Sequence, residues 1–213
     1  MKYTIDKYGK IDYLVNNGGG QFPAQMENIS LKGWNAVIET NLTGTYLCCR
    51  EVFKAWMGKN GGVIVNIVVD NFRGMPFMGH SGAARAGVEN LTKTMALEWA
   101  DRGIRINAVA PGTVYSETAA ANYDLDVFSM AVDNIPAKRL GETQEVSGAV
   151  CFLLSPASSF ISGATLRIDA AGSLYKHPNF DIEKHPNLPP YRWSEDPEVD
   201  DDGQGTSTPN SKL

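Results

Sequence analysis

Short apolar runs alternate with longer stretches of helical periodicity from residue 11 onwards. The runs "IDYLVNN" (11–17), "GVIVNIVV" (62–69), "IRINAVAPG" (104–112) and "TLRIDA" (165–170) read as strands of a parallel sheet buried on both faces. Between them the spacing predicts helices from Leu31 to about Met57, from about Ser81 to Ala100, and from Thr143 to Leu154. Gly103 stops the second, and Ser155-Pro156 ends the third, because proline disfavours helical geometry in the residue before it. This βα alternation predicts an α/β fold, a Rossmann-like parallel sheet with helices on both faces. The opening "MKYTIDKYG" reads as the end of a helix that precedes the first strand.

The pattern changes twice. Residues 116–140 are rich in Ala and Asp and read as a mobile stretch. From about His177 prolines appear, followed by "SEDPEVDDDGQGTSTPN", too acidic and too poor in apolar residues to fold alone. The expected organisation is one domain over residues 1–176 and a disordered acidic tail over 177–213. The chain ends Ser211-Lys212-Leu213, which matches the tripeptide read by the peroxisomal import receptor at a free C-terminus. A peroxisomal protein is therefore expected.

Composition narrows the partners. A 213-residue chain with 43% apolar residues has enough material for one sizeable core. A net charge of −5 without a Lys/Arg stripe argues against nucleic acid. No apolar run approaches the roughly 20 residues that span a bilayer, so no membrane insertion is expected. Cys48, Cys49 and Cys151 lack zinc-ligand spacing and read as buried thiols. None of the three histidines is placed for a metal, and His80 reads as a helix-start residue.

Four features fall at or beside the C-terminal ends of the predicted strands, where open parallel sheets place their ligands. "NNGGG" follows the first strand, "NLTGT" lies in the next helix, "HSGAARAGV" opens the helix after the second strand, and "APGTVYSET" follows the third. In this order they resemble the short-chain dehydrogenase/reductase family over residues 1 to about 172. Together with "LTK", "ALEWA" and "IPAKR", they look most like the family's reductases of fatty enoyl- and dienoyl-CoA thioesters. That resemblance implies NADPH as cofactor and reduction of the 2,3 double bond of a trans-2-enoyl-CoA to the acyl-CoA. It also implies a homo-oligomer, with the helices at 31–57 and 81–100 at the subunit interface.

The family's catalytic pattern is only partly present. Asn41 of "NLTG" matches the catalytic Asn, whereas Ser81 stands at the Tyr position, Arg85 at the Lys position, and the Ser position falls near Val68. Arg85 can still hold a ribose hydroxyl and supply fixed charge, although it cannot donate a proton at ordinary pH. For an enoyl thioester the substitution makes chemical sense: hydride adds to the β-carbon, and charge develops on the thioester oxygen. Ser81 supported by Arg85 is the expected stabiliser. Glu89, where related reductases carry a Tyr, is a candidate acid, and an i,i+4 ion pair with Arg85 is its other expected use. By resemblance, Asn16, Gly18 and Gly19 form the turn that packs beside the adenine ribose and stabilises the central sheet. Pro111, Gly112 and Thr113 meet the nicotinamide amide, and Arg85 serves the cofactor as well as the substrate.

The Gly-rich phosphate turn that begins such domains is missing from this sequence, and with it the unit that selects NAD or NADP. An N-terminally truncated domain is expected, with "DYLVNN" left as an unpaired apolar edge. Two alternatives to the enoyl-CoA reductase follow: a 2,4-dienoyl-CoA reductase, or an inactive chain that associates with full-length subunits.

Overall fold

The computed structural model describes residues 1–117, 127–175 and 180–193. His177, the acidic run and the terminal tripeptide Ser211-Lys212-Leu213 lie outside the described residues. Helix α1 (Lys2–Tyr8) ends in a left-handed Gly9 and leads into strand β1 (Tyr13–Asn16). Helices α2 (Leu31–Ile38) and α3 (Gly44–Val52) are joined without a break by a π-helical turn (Glu39–Thr43), and a second π turn (Phe53–Met57) follows. Then come β2 (Gly62–Ile67), α4 (Gly79–Glu98), β3 (Ile104–Pro111), α5 (Val127–Val132), α6 (Thr143–Leu154) and β4 (Thr165–Ile168).

All four strands are parallel and lie in chain order, β1-β2-β3-β4. Consecutive side chains of a strand point to opposite faces, so β2 sends Ile64 to one side and Val65 to the other. Ile64, Ile104 and Ile106 pack with Cys49, Val52, Met57 and Met95 from α3, the second π turn and α4. Val65 and Val109 pack with Leu153 and Val150 of α6 on the opposite face. The expected α/β architecture with helices on both faces is what forms. β1 is an edge of the sheet among the described residues, and Tyr13 and Val15 are exposed on it.

A buried chain of amides pins the register of the two strands nearest that edge. Asn16 Nδ2 donates to Asn66 Oδ1 at 2.8 Å and to Cys49 Sγ at 3.2 Å. Asn66 Nδ2 donates to Thr92 Oγ1 at 2.9 Å, and Thr92 donates to the Val88 carbonyl at 2.8 Å. A one-residue slip would turn Asn16 and Asn66 to opposite faces and leave several buried polar groups without partners.

Gly103 has a left-handed φ of 68°, the conformation that ends the α4 region, as its position predicted. Two expectations are corrected. Only Cys49 is a buried thiol, because Cys48 and Cys151 lie on the solvent sides of α3 and α6. Residues 180–193, expected to belong to a structureless tail, are anchored to the domain. Arg139 forms a two-point pair with Glu145 at 2.7 and 2.8 Å and donates to the Leu188 carbonyl at 2.6 Å. Arg192 grips Glu142 at 2.9 Å through two nitrogens, and the Trp193 ring nitrogen donates to Ser147 at 2.9 Å. Paired arginines and an aromatic ring dock a segment too polar to build a core of its own.

Burial pushes the Cys49 thiol up to about 12, against the hydrogen bond from Asn16 and with neighbouring Cys48 adding to the rise. Titration of the native chain with a thiol-reactive dye near pH 8 should therefore label Cys48 and Cys151 promptly. Cys49 should react only after denaturation.

Candidate active site

The loops at the C-terminal ends of the strands converge on Arg85. From the second turn of α4 its guanidinium crosses to the end of β2 and donates to the Ile67 carbonyl at 2.5 Å. Gly19 lies directly over it: a Cβ there would fall on the guanidinium and come within 2.7 Å of Asn41 Oδ1. Glycine is required at this point for close approach, although its φ lies outside the left-handed region. Arg85 has no carboxylate within ion-pair distance among the described residues. Burial pushes its pKa below the ordinary value, but a guanidinium remains charged at neutral pH. It is thus a half-buried fixed cation whose guanidinium carries more N–H groups than its hydrogen bond to Ile67 uses.

Asn41 is held by the π turn. A π turn carries one residue more than an α turn, and such turns recur at functional sites. The fully buried Asn41 amide clamps Gly20 in both directions: it accepts from the Gly20 N–H and donates to the Gly20 carbonyl, each at 2.9 Å. The loop after β1 is thereby fixed against α2–α3. Gly18, beside it, is exposed with open space where a Cβ would be, so nothing local demands glycine there.

Ser81 is almost fully buried, and its hydroxyl donates to Gln21 Oε1 at 2.7 Å. The preceding His80 is buried too, edge-on to the Phe22 ring with centroids 4.4 Å apart. Its Nδ1 accepts the Ser81 N–H at 2.9 Å, and its Nε2 has no partner among the described residues. Asn16 does not join this group, since its side chain is engaged in the interior chain of amides and secures the strand end from below. Pro111, Gly112 and Thr113 close the other side. The Pro111 carbonyl accepts from Asp70 N at 3.0 Å, Gly112 N donates to the Ile168 carbonyl at 2.9 Å, and the Thr113 carbonyl accepts from Gly141 N at 3.0 Å. A side chain on Gly112 would come within 2.9 Å of Asp169 Cβ. An apolar cleft of about 440 Å³ opens at these strand ends, between Val15, Ile67, Pro111, Val114 and Val146.

The ion pair expected between Glu89 and Arg85 is not formed. Arg85 is turned inward to Ile67, while half-buried Glu89 lies nearer Lys93, Arg167 and Asp70. Burial raises the Glu89 pKa, against the pull of Lys93 and Arg167, with Asp70 adding to the rise. Gln21 and Phe22 were missed in the sequence, where they read only as part of a loop. Their one signal is that they directly follow the Gly18–Gly20 turn that Asn41 grips.

Comparisons with known proteins identify the family and the fold. The family profile described as Enoyl-(Acyl carrier protein) reductase matches residues 1–171. The chain belongs to the short-chain dehydrogenase/reductase family. It is 39% identical over 176 residues to a glucose 1-dehydrogenase of Gluconobacter oxydans, covering 81% of this chain and 66% of that one. A peroxisomal 2,4-dienoyl-CoA reductase of Saccharomyces cerevisiae is 30% identical, over 79% of this chain and 58% of its own length. Among solved structures, a gluconate 5-dehydrogenase of Burkholderia cenocepacia in complex with NADP and tartrate superposes with a TM-score of 0.76 at 32% identity. That match covers 82% of this chain and 69% of the other. The chain thus spans about two thirds or less of the length of these curated relatives.

Two outcomes follow from the packing. Gly19→Ala should displace Arg85 or Asn41 and lower the unfolding free energy by about 1–3 kcal/mol in urea titrations. Glu89→Gln should become the more stable chain as pH rises. The folded-state pKa of Glu89 lies above its unfolded value, so its stabilising contribution is present at low pH and lost as pH climbs through the folded pKa. Melting curves between pH 4 and 7 of the two proteins should diverge in that sense.

Proposed function

We propose that the protein reduces the 2,3 double bond of a trans-2-enoyl-CoA to the acyl-CoA with NADPH, as a peroxisomal enzyme of fatty-acid metabolism. The observation that carries this reading is the presence of Ser81 and Arg85, one turn apart on α4, where the family's ketone reductases carry a phenol and an amine. A site of this kind supplies hydrogen bonds and fixed charge rather than an acidic proton.

The residues present suit the nicotinamide–ribose end of the cofactor. Arg85, without a carboxylate partner, has N–H groups for ribose hydroxyls, and the main chain at Pro111, Gly112 and Thr113 suits the carboxamide. The described residues include no Gly-rich turn for the diphosphate. When bound, the nicotinamide supplies hydride to the β-carbon of the enoyl thioester. The electron pair of the double bond then moves towards the thioester oxygen. Ser81 exchanges its bond to Gln21 Oε1 for one to that oxygen, and Arg85 contributes positive charge nearby. Asn41 keeps the Gly18–Gly20 loop at the distance that Arg85 needs. The α-carbon takes its proton from water or from an acid, for which Glu89, its pKa raised by burial, is the candidate among the residues singled out.

Import through Ser211, Lys212 and Leu213 and the yeast peroxisomal relative support the localisation. No helix among the described residues is long and apolar enough to cross a membrane. A homo-oligomer is in keeping with exposed Leu31, Leu47 and Leu97 on α2, α3 and α4. A 2,4-dienoyl-CoA reductase is the second reading, favoured by the name of that same yeast relative.

NADPH oxidation measured with a trans-2-enoyl-CoA and with a 2,4-dienoyl-CoA separates the two, and faster turnover of the enoyl substrate is expected. Ser81→Ala should lower kcat by about 10²-fold, as loss of an oxyanion donor does, with KM little changed. An unaltered kcat would remove Ser81 from the chemistry.

A further inference from the structure

The family profile ends at residue 171, yet residues 180–193 fold back onto the domain through the Arg192–Glu142 pair and the hydrogen bond from Arg139 to the Leu188 carbonyl. This docked segment becomes one wall of a groove of about 890 Å³, a size suited to a nucleotide-sized ligand. Tyr115, Ser116 and Thr143 also line it, together with Lys138 and Lys184. Ser116 and Thr143 also line the apolar cleft at the strand ends, so the two spaces share a wall.

The charges in the groove differ from the acidic balance of the chain, which is −5 overall. Glu142, on its wall, is already gripped by Arg192. Lys138 is held in the left-handed region at φ 53°, with its amine donating to the neutral Asp133 carbonyl at 2.9 Å and lying 5.1 Å from the centre of the Tyr175 ring. Lys184 is exposed and has no ion-pair partner among the described residues. Beyond the two lysines a second groove carries Asp133, Asp181 and Glu183, which would repel an anion from that side. Glu117 is the single carboxylate that faces the amines from within the first groove without an ion pair among the described residues.

We propose that the groove binds the phosphate-bearing end of a coenzyme A thioester, with Lys138 and Lys184 as its cationic contacts and the acyl arm passing Ser116 and Thr143 into the strand-end cleft. This assignment rests on the acyl-thioester reading above and makes residues 180–193 a determinant of substrate class.

Calorimetric titration of the full chain with coenzyme A tests it, with NADPH titrated in parallel. Lys184→Glu should weaken coenzyme A binding by about tenfold and Lys138→Gln should also weaken it, while Lys184→Arg stays close to the parent. Turnover of a pantetheine thioester, which lacks the nucleotide phosphates, should be the same in parent and Lys184→Glu. Equal coenzyme A affinity in parent, Lys184→Glu and Lys138→Gln would overturn the assignment, and turnover of the pantetheine thioester would show that the reductase reading survives it. A parallel loss of NADPH affinity in Lys184→Glu would give the groove to the cofactor's phosphates and overturn it as well. A parent chain that binds NADPH but neither binds coenzyme A nor turns over the pantetheine thioester would overturn both the assignment and the thioester reading.

Discussion

Arg85 reaches the end of β2 because Gly19 has no side chain and because Asn41 holds the loop that carries Gly19 where it is. Three elements distant in sequence meet at that guanidinium: the turn after β1, the π turn between α2 and α3, and α4. A half-buried cation is costly unless its N–H groups find oxygen, and the Ile67 carbonyl meets only part of that need. The remaining capacity is what makes the place chemically useful, since hydroxyl or carbonyl oxygen from a ligand completes what the fold leaves open.

The sheet supports this arrangement from below. The chain of amides from Asn16 through Asn66 to Thr92 secures β1, β2 and α4 relative to one another. The loops that emerge above them start from fixed points. A polar network in a core is stabilising only when fully satisfied, and here each amide has its partner. Asn16 thus takes the sheet-stabilising role that resemblance gave it.

Much of the fold was legible in the sequence because parallel strands buried on both faces leave continuous apolar runs, and "GVIVNIVV" and "IRINAVAPG" are such runs. Gly103 and Pro156 marked helix ends for local reasons that tertiary structure did not override. The π turns were not legible, since an extra residue in a helical turn leaves no mark on composition. The docking of residues 180–193 was hidden because its affinity lies in single arginines and one tryptophan, not in a periodic apolar face. In the candidate site, Asn41, Ser81 and Arg85 were singled out through their spacing within a family pattern. Gln21 and Phe22 were not, because their importance depends on which loop folds over the start of α4. The Arg85–Glu89 pair failed for a related reason: helical spacing permits it, but Arg85 is drawn inward by the end of β2.

The π turn at Glu39–Thr43 also sets the phase of everything that follows it. Each residue of a regular helix advances the side chains by about 100°, so losing one residue from the turn would rotate α3 as a body. Cys49 and Val52, both fully buried, would swing away from the sheet, and residues now in solvent would face it. This stretch of the chain is therefore closed to a change of length by a single codon.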